Sequence, residues 1–373
     1  MTPTMPSVFS CYFIGADNLL IECAERALVR NHEVRGIITR TPRILSWAKK
    51  REIPTLDPKD RLVEQLSREP FDYLFAVTHL QMLPDELIAL PKKLAVNFHD
   101  GPLPRYAGLN TPVWALIHRE PSYGISWHVV EAGIDTGDLL KQRHFDLAAH
   151  ETSLSLNTRC FEAGIETFDE LIQELAEGQE TRTAQSSEGR EVFYRADRPA
   201  VFGLLDFRKP AVELEALVRA LDFGPYQNPV AVPKVRVGDR FLQVSEASVA
   251  EGEGTPGEVQ SLDGGLAVGT ADGVIVLRGL KTLLGEPVEA SDLALQVGTQ
   301  LLPTDAEIER LSSLSKELAA TEHRFWDRFE TLAPNEPPFT NPTAGVPDYR
   351  HRRVTAPLGA TVAERVAICT AYL

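Results

Sequence analysis

From Val8 to about residue 140 the chain alternates between two hydrophobic periods. The run 8–14 (VFSCYFI) is apolar and β-prone and stops at Gly15; Asp17 and Asn18 then offer a helix N-cap, and Leu19, Leu20, Cys23, Ala24, Ala27 and Leu28 recur at helical spacing. Further strands are expected at 34–40 (VRGIITR), 71–78 (FDYLFAVT) and 93–100 (KLAVNFHD). Helices are expected around 43–50, through DRLVEQLSRE, and at 84–90. GISWHVVE and LLKQRHFDL add two strands, and a helix follows over 153–177, with Cys160, Gly164, Phe168, Leu171 and Leu175 on one core-facing stripe. This alternation predicts an α/β fold with a doubly wound, mostly parallel sheet, whose chemistry belongs at the carboxyl ends of the strands.

Periodicity is lost over 179–203, where polar and breaker residues gather, so residues 1–182 are expected as one domain and 183–203 as a linker. Residues 204–300 hold a short helix and several brief β-prone runs with Gly/Pro/Asp turns, which predicts a small β-barrel, oligonucleotide-fold-like. Residues 301–373 read as a helical and Pro-rich tail ending within an amphipathic pattern, as expected of a piece of a longer polypeptide.

Composition narrows the picture. The 373 residues are 43% hydrophobic with a formal charge of −15, a poor match to a phosphate backbone, so no nucleic-acid partner is expected. There is neither a membrane-length apolar run nor a basic segment before the first strand, so a cytoplasmic protein with no membrane partner is expected. Cys11, Cys23, Cys160 and Cys369 form no CxxC pair and read as reduced thiols; no metal is expected.

The sequence lacks GxGxxG after its first strand, and also GxxxxGK[ST], GxSxG and HExxH. What stands out is NFHDGPLPRYAGLN (97–110) followed by GISWHVVEAGIDTGD (124–138). Asn97 and His99 alternate on one strand and so share a face, just before a turn stiffened by Pro102 and Pro104, where Gly101 permits close backbone approach. Asp135 lies in a second loop between Gly133 and Gly137. An amide, an imidazole and a carboxylate meeting in one crevice suit attack on an acyl carbon: the N–H groups steady the oxyanion, and the carboxylate orients the imidazole or relays a proton. No side-chain nucleophile is evident, which points to direct transfer. Taken singly, Asn97 also reads as a turn residue, and His99 as a core histidine.

The ordered set Asn97, His99, Leu103-Pro104, Gly108, His128, Asp135 and Gly137 resembles the folate-dependent formyltransferase family, over about residues 8–180. Residues 204–280 look like the C-terminal barrel of methionyl-tRNA formyltransferases. The resemblance implies a Rossmann-like catalytic domain and 10-formyltetrahydrofolate as formyl donor. Asn97 and His99 would polarise the formyl oxygen and stabilise the tetrahedral intermediate; Asp135 would hold His99 and take up the amine's proton through water. His128 would support these groups from behind, with Gly101, Gly108 and Gly137 shaping the turns. The pterin would lie between Leu80-Gln81-Met82-Leu83 and Glu131-Ala132-Gly133-Ile134; Met82 and Leu83 read alternatively as plain core.

The form HDGPLPRYAGLN is similar to formylation domains that begin nonribosomal peptide synthetases, and EHRFWDRFETLAPNEPP to the lead-in of an adenylation domain. The expected acceptor is therefore the amine of an aminoacyl thioester on a peptidyl carrier protein, with a covalently linked adenylation domain downstream. Alternatives are a free amine (an amino-sugar nucleotide or a hydroxyornithine-type diamino acid), methionyl-tRNA, water in a hydrolytic reaction, or a silent docking domain. Arg208, Lys209, Lys234, Arg236 and Arg240 are the one candidate cationic patch for RNA.

Overall fold

Strand β1 (Ser10–Gly15) is almost wholly buried, because a parallel strand packed on both faces needs apolar residues on both. It leads into α1 (Asn18–Val29), whose first backbone N–H donates to the Asp17 side chain at 2.6 Å. In this computed structural model, residues 7–331 are described, with side chains as far as Glu322. The chain continues through β2 (Glu33–Ile38), α2 (Pro42–Lys50), β3 (Thr55–Leu56), α3 (Leu62–Leu66), β4 (Tyr73–Val77), α4 (Asp85–Ile88) and β5 (Leu94–His99). After it come β6 (Tyr106–Gly108), α5 (Thr111–Ile117), β7 (Ser122–Val129), β8 (Leu139–Asp146) and α6 (Ser153–Glu177). The main sheet has the order β3-β2-β1-β4-β5-β7-β8, parallel from β3 to β5 and antiparallel at β7 and β8. This is the doubly wound α/β arrangement expected.

Helix α6 begins in a capping box, in which Thr152 and Ser155 satisfy each other's backbone N–H, and ends at Gly178 in the left-handed region. Its buried stripe, including Cys160, Phe168, Leu171 and Leu175, packs into the core beneath the sheet together with Phe75, Phe98 and Trp127. Cys11, Cys23 and Cys160 are buried free thiols, while Cys369 lies outside the described residues.

The segment expected as a linker is not a bare connector. It carries β9 (Glu191–Phe193), which pairs in parallel with β6 and leaves the Phe193 carbonyl to accept from Leu109 N–H at 2.8 Å. Next come α7 (Ala211–Ala220), β10 (Lys234–Val237), β11 (Arg240–Gln243), β12 (Glu246–Ala250), β13 (Val259–Ser261), β14 (Leu266–Gly269), β15 (Val274–Arg278) and β16 (Lys281–Thr282). The strands after α7 form a three-stranded and a four-stranded antiparallel sheet around a shared core that includes Val235, Leu242, Val268 and Ile275. Arg219 Nη1 donates to Glu151 O at 2.5 Å and Ser153 Oγ to Ala220 O at 2.6 Å, joining α7 to the start of α6.

Helix α8 (Asp305–Thr331) occupies the helical part of the expected tail and takes in 322–331 of the expected adenylation lead-in; the rest of that lead-in and the Pro-rich stretch lie outside the described residues. No helix among the described residues is long and apolar enough to cross a membrane.

Candidate active site

Strand β5 ends beside the end of its parallel neighbour β4, so Asn97 and His99 reach the carboxyl end of the sheet on one face, while Phe98 between them goes into the core. Both polar residues line a cavity of about 490 Å³. The same cavity is lined by Leu80, Gln81, Met82, Leu83, Glu131, Gly133, Ile134, Asp135 and His128. Of the residues expected beside a pterin, Ala132 does not line it, and its short side chain is exposed. Leu80 and Met82 are 64% and 56% exposed, too open to be plain core, whereas Leu83 is buried. A cleft of this volume with apolar walls and a few convergent polar groups suits a heterocycle of pterin size.

Asp135 is only 14% exposed and is the hub of the polar cluster. Its Oδ2 accepts from Gly108 N–H at 2.8 Å and lies 3.6 Å from His99 Nδ1; its Oδ1 lies 3.3 Å from His128 Nε2. Burial alone would raise its pKa, but His99, His128 and the Gly108 N–H outweigh that and hold the carboxyl below the usual carboxylate range.

His99 Nε2 lies 2.5 Å from Tyr106 O. A carbonyl only accepts, so Nε2 carries hydrogen and Nδ1 is the atom presented to the two neighbouring carboxylates, Asp135 and Asp100. His128 Nδ1–H donates to Val129 O at 2.8 Å, which leaves Nε2 facing both Asp135 and Asn97 Nδ2, the latter at 3.1 Å. A lone pair on Nε2 accepts from the Asn97 amide; a proton there serves Asp135 instead. His128 therefore touches both residues and lines the cavity itself.

Asp135 adopts φ +48°, in the left-handed region that costs a non-glycine residue about 1–2 kcal/mol. Side chains from the segment expected as a linker brace it. Gln185 Nε2 donates to Asp135 O at 2.9 Å and Gly137 O at 2.6 Å; Arg190 donates to Asp135 O at 3.2 Å and also to Ile134 O. Sequence reasoning missed both residues, because an aperiodic polar stretch carries no signal of what it touches.

The three glycines hold tight approaches. Gly108 has φ +94° and packs on the Phe193 backbone; a Cβ on Gly101 would come within 2.7 Å of His99 Nε2, and one on Gly137 would overlap Val129 O.

The comparisons agree with this architecture. The family model for formyl transferase matches residues 39–172, and that for the formyl transferase C-terminal domain matches residues 200–297. A methionyl-tRNA formyltransferase of Myxococcus xanthus is 31% identical over 252 residues, covering 66% of this chain and 78% of that protein. The chain belongs to the folate-dependent formyltransferase family. A methionyl-tRNA formyltransferase of Clostridioides difficile is 24% identical to this formyltransferase over 306 residues, covering 75% of the chain and 96% of that protein. Among solved structures, the sugar 3N-formyl transferase WlaRD, in the presence of dTDP and 5-N-formyl-THF, superposes with a TM-score of 0.61 at 18% identity, over 73% of this chain and 97% of that one. An N-formyltransferase from Helicobacter canadensis in complex with folinic acid and dTDP-3-aminofucose gives 0.60 at 19% identity, over 73% and 99%. At these identities the shared property is the fold. The enzyme is thus an N-formyltransferase by family, and its acceptor has to be sought in its own residues.

Proposed function

We propose that the enzyme transfers the formyl group of 10-formyltetrahydrofolate to the amine of an aminoacyl thioester on a carrier protein, with Asn97, His99 and Asp135 as its catalytic residues. The observation that supports the catalytic part is the meeting of these three with His128 at one end of a cleft whose other wall carries exposed Leu80 and Met82. The folate is substrate here rather than a resident group. Its pterin fits the apolar wall, and its formyl carbonyl fits the polar end. The Asn97 amide and a protonated His99 Nδ1 then meet the negative charge that grows on the formyl oxygen. Asp135 keeps His99 oriented and takes the proton that the amine sheds after attack. Residues 1–182 are the catalytic domain in this reading, with Gln185 and Arg190 of the following segment bracing its aspartate loop.

The carrier-bound acceptor is favoured over RNA by electrostatics. Of the five cations in the candidate patch, Arg208 is bound to Asp206 at 2.8 Å and Asp305 at 2.6 Å, Arg236 to Glu307 at 2.7 Å, and Lys209 lies 3.9 Å from Glu213. Lys234 donates to Phe202 O, and burial pushes its pKa down to about 8. Four of the five are thus already engaged, in a chain of net charge −15.

Methionyl-tRNA is the second reading, favoured by the names of the relatives that match both domains; those names stand against the expectation that no nucleic acid is involved. The experiment is mass spectrometry of three acceptors after incubation with enzyme and donor: aminoacyl carrier protein, methionyl-tRNA and an amino-sugar nucleotide. Gain of one CO unit on the carrier-bound amine supports the first reading. Gain on the tRNA or the sugar alone overturns it.

A further inference from the structure

Asp100 directly follows His99 and lines the same cavity, yet nothing in the reaction outlined above uses it. Its side chain is 31% exposed and its Oδ1 lies 4.0 Å from His99 Nδ1. The site therefore holds two carboxylates with unequal surroundings. Asp135 is engaged by Gly108 N–H at 2.8 Å, by His128 at 3.3 Å and by His99 at 3.6 Å. Asp100 receives its own backbone N–H and one long side-chain hydrogen bond, from Thr111 Oγ1 at 3.3 Å. Burial pushes its pKa up, with His99 opposing and Asp135 adding to the rise. The groups facing it are His99 on β5, Asp135 in the β7–β8 loop, Tyr123 on β7, Cys160 on α6 and the Thr111 hydroxyl on α5. No Lys or Arg is among them.

An amine acceptor arrives largely as its ammonium near neutral pH and has to lose a proton before it can attack. A half-buried carboxylate with spare acceptor capacity, beside the reacting centre and with no Lys or Arg against it, is the group such an ammonium would meet. The helices that contact Asp100 also shape the space in front of it: α5 contributes Pro112 and Val113 to the cavity, and α6 contributes Asn157 and Phe161.

We propose that Asp100 is the docking group for the acceptor's ammonium, in a subsite whose walls take an α-amino acyl group with a hydrocarbon side chain. This rests on the formyl-transfer reading above. The protons balance in two steps. Asp100 accepts one proton from R–NH3+, giving R–NH2 and a neutral carboxyl that later returns the proton to solvent. The amine nitrogen then bonds to the formyl carbon; as the bond from that carbon to N10 breaks, the amine's second proton passes by way of Asp135 to N10. The products are R–NH–CHO and tetrahydrofolate.

The test uses leucinamide, which has the α-amine and a hydrocarbon side chain but no thioester or carrier, and its amine-free isostere 4-methylpentanamide. With 5-formyltetrahydrofolate bound, the wild-type enzyme should bind leucinamide roughly 10- to 100-fold more tightly than the isostere at a pH where the amine is charged. D100N should erase that preference and move the acid limb of kcat/KM for leucinamide formylation upward, toward the pKa of the free amine. D100E should restore part of both. Binding of 5-formyltetrahydrofolate by D100N within about twofold of wild type would show an intact fold; the comparison of the two amides in the wild-type enzyme needs no variant. Equal binding of leucinamide and its isostere by the wild type, or a D100N enzyme that keeps the preference and the pH profile, overturns the assignment. If the carrier protein is not formylated while the leucinamide result holds, the carrier reading fails and Asp100 keeps its role.

Discussion

Gly108→Ala tests whether the aspartate loop is held by the short β6–β9 pair. Gly108 sits at φ +94°, and its N–H is the shortest hydrogen bond to Asp135, at 2.8 Å. An added Cβ would overlap the Phe193 carbonyl oxygen and come within 2.9 Å of its carbon and 3.0 Å of its nitrogen. All three are backbone atoms of a paired strand, so no side chain can swing aside. The strands must part by roughly 1 Å, which also breaks the hydrogen bond from Leu109 N–H to Phe193 O. The left-handed conformation costs an L side chain about 1–2 kcal/mol and the lost backbone bond about 1 kcal/mol. Together they give roughly 3 kcal/mol, or a Tm lower by roughly 5–10 °C. The N–H drawn away from a buried carboxylate contributes about 1.5–3 kcal/mol, so turnover should fall roughly 10- to 100-fold. Thermal unfolding and steady-state formyl transfer measure both. A variant with wild-type Tm and turnover would show that the β6–β9 contact does not hold Asp135.

Asn97→Ala, His99→Ala and Asp135→Ala should each lower turnover by roughly 10²- to 10⁴-fold while leaving affinity for 5-formyltetrahydrofolate within a fewfold, as calorimetry and single-turnover kinetics would register. The depressed pKa of Asp135 also fixes the sign of a pH effect: its ionised form stabilises the fold above the unfolded carboxyl value of about 3.9, and that contribution drains away as pH falls toward the lower folded value. Wild type and Asp135→Asn should therefore differ in denaturation at neutral pH, with the gap narrowing progressively as pH falls below about 4; a gap that widened on acidification would contradict the assignment.

Much of this site is legible in the sequence because it is built from local rules. The alternation of Asn97, Phe98 and His99 on one strand fixes which side chains share a face, and the apolar stripe from Cys160 to Leu175 fixes the long helix at 153–177. What escapes sequence reading is long-range. Strands β6 and β9 are three residues each and about 85 residues apart, too short to show a period, and they pair only because the folded domain brings them together. Gln185 and Arg190 lie in a stretch with no hydrophobic rhythm, and the carbonyls they hold have no signature of their own. Thr111–Ile117 becomes α5 behind Asn110 at φ +56°, in a segment whose two-turn length leaves little pattern to read. Asp100 stands in plain view beside His99; its openness relative to Asp135 depends on hydrogen-bond partners that come from other elements.

A structure of the enzyme with 5-formyltetrahydrofolate bound tests the central claim most directly. The account predicts the pterin against Leu80 and Met82, and the formyl group at the polar end of the cleft, within hydrogen-bonding distance (about 3 Å) of the Asn97 amide and His99 Nδ1. A ligand seated elsewhere, or one whose formyl group points away from Asn97, His99 and Asp135, would contradict it.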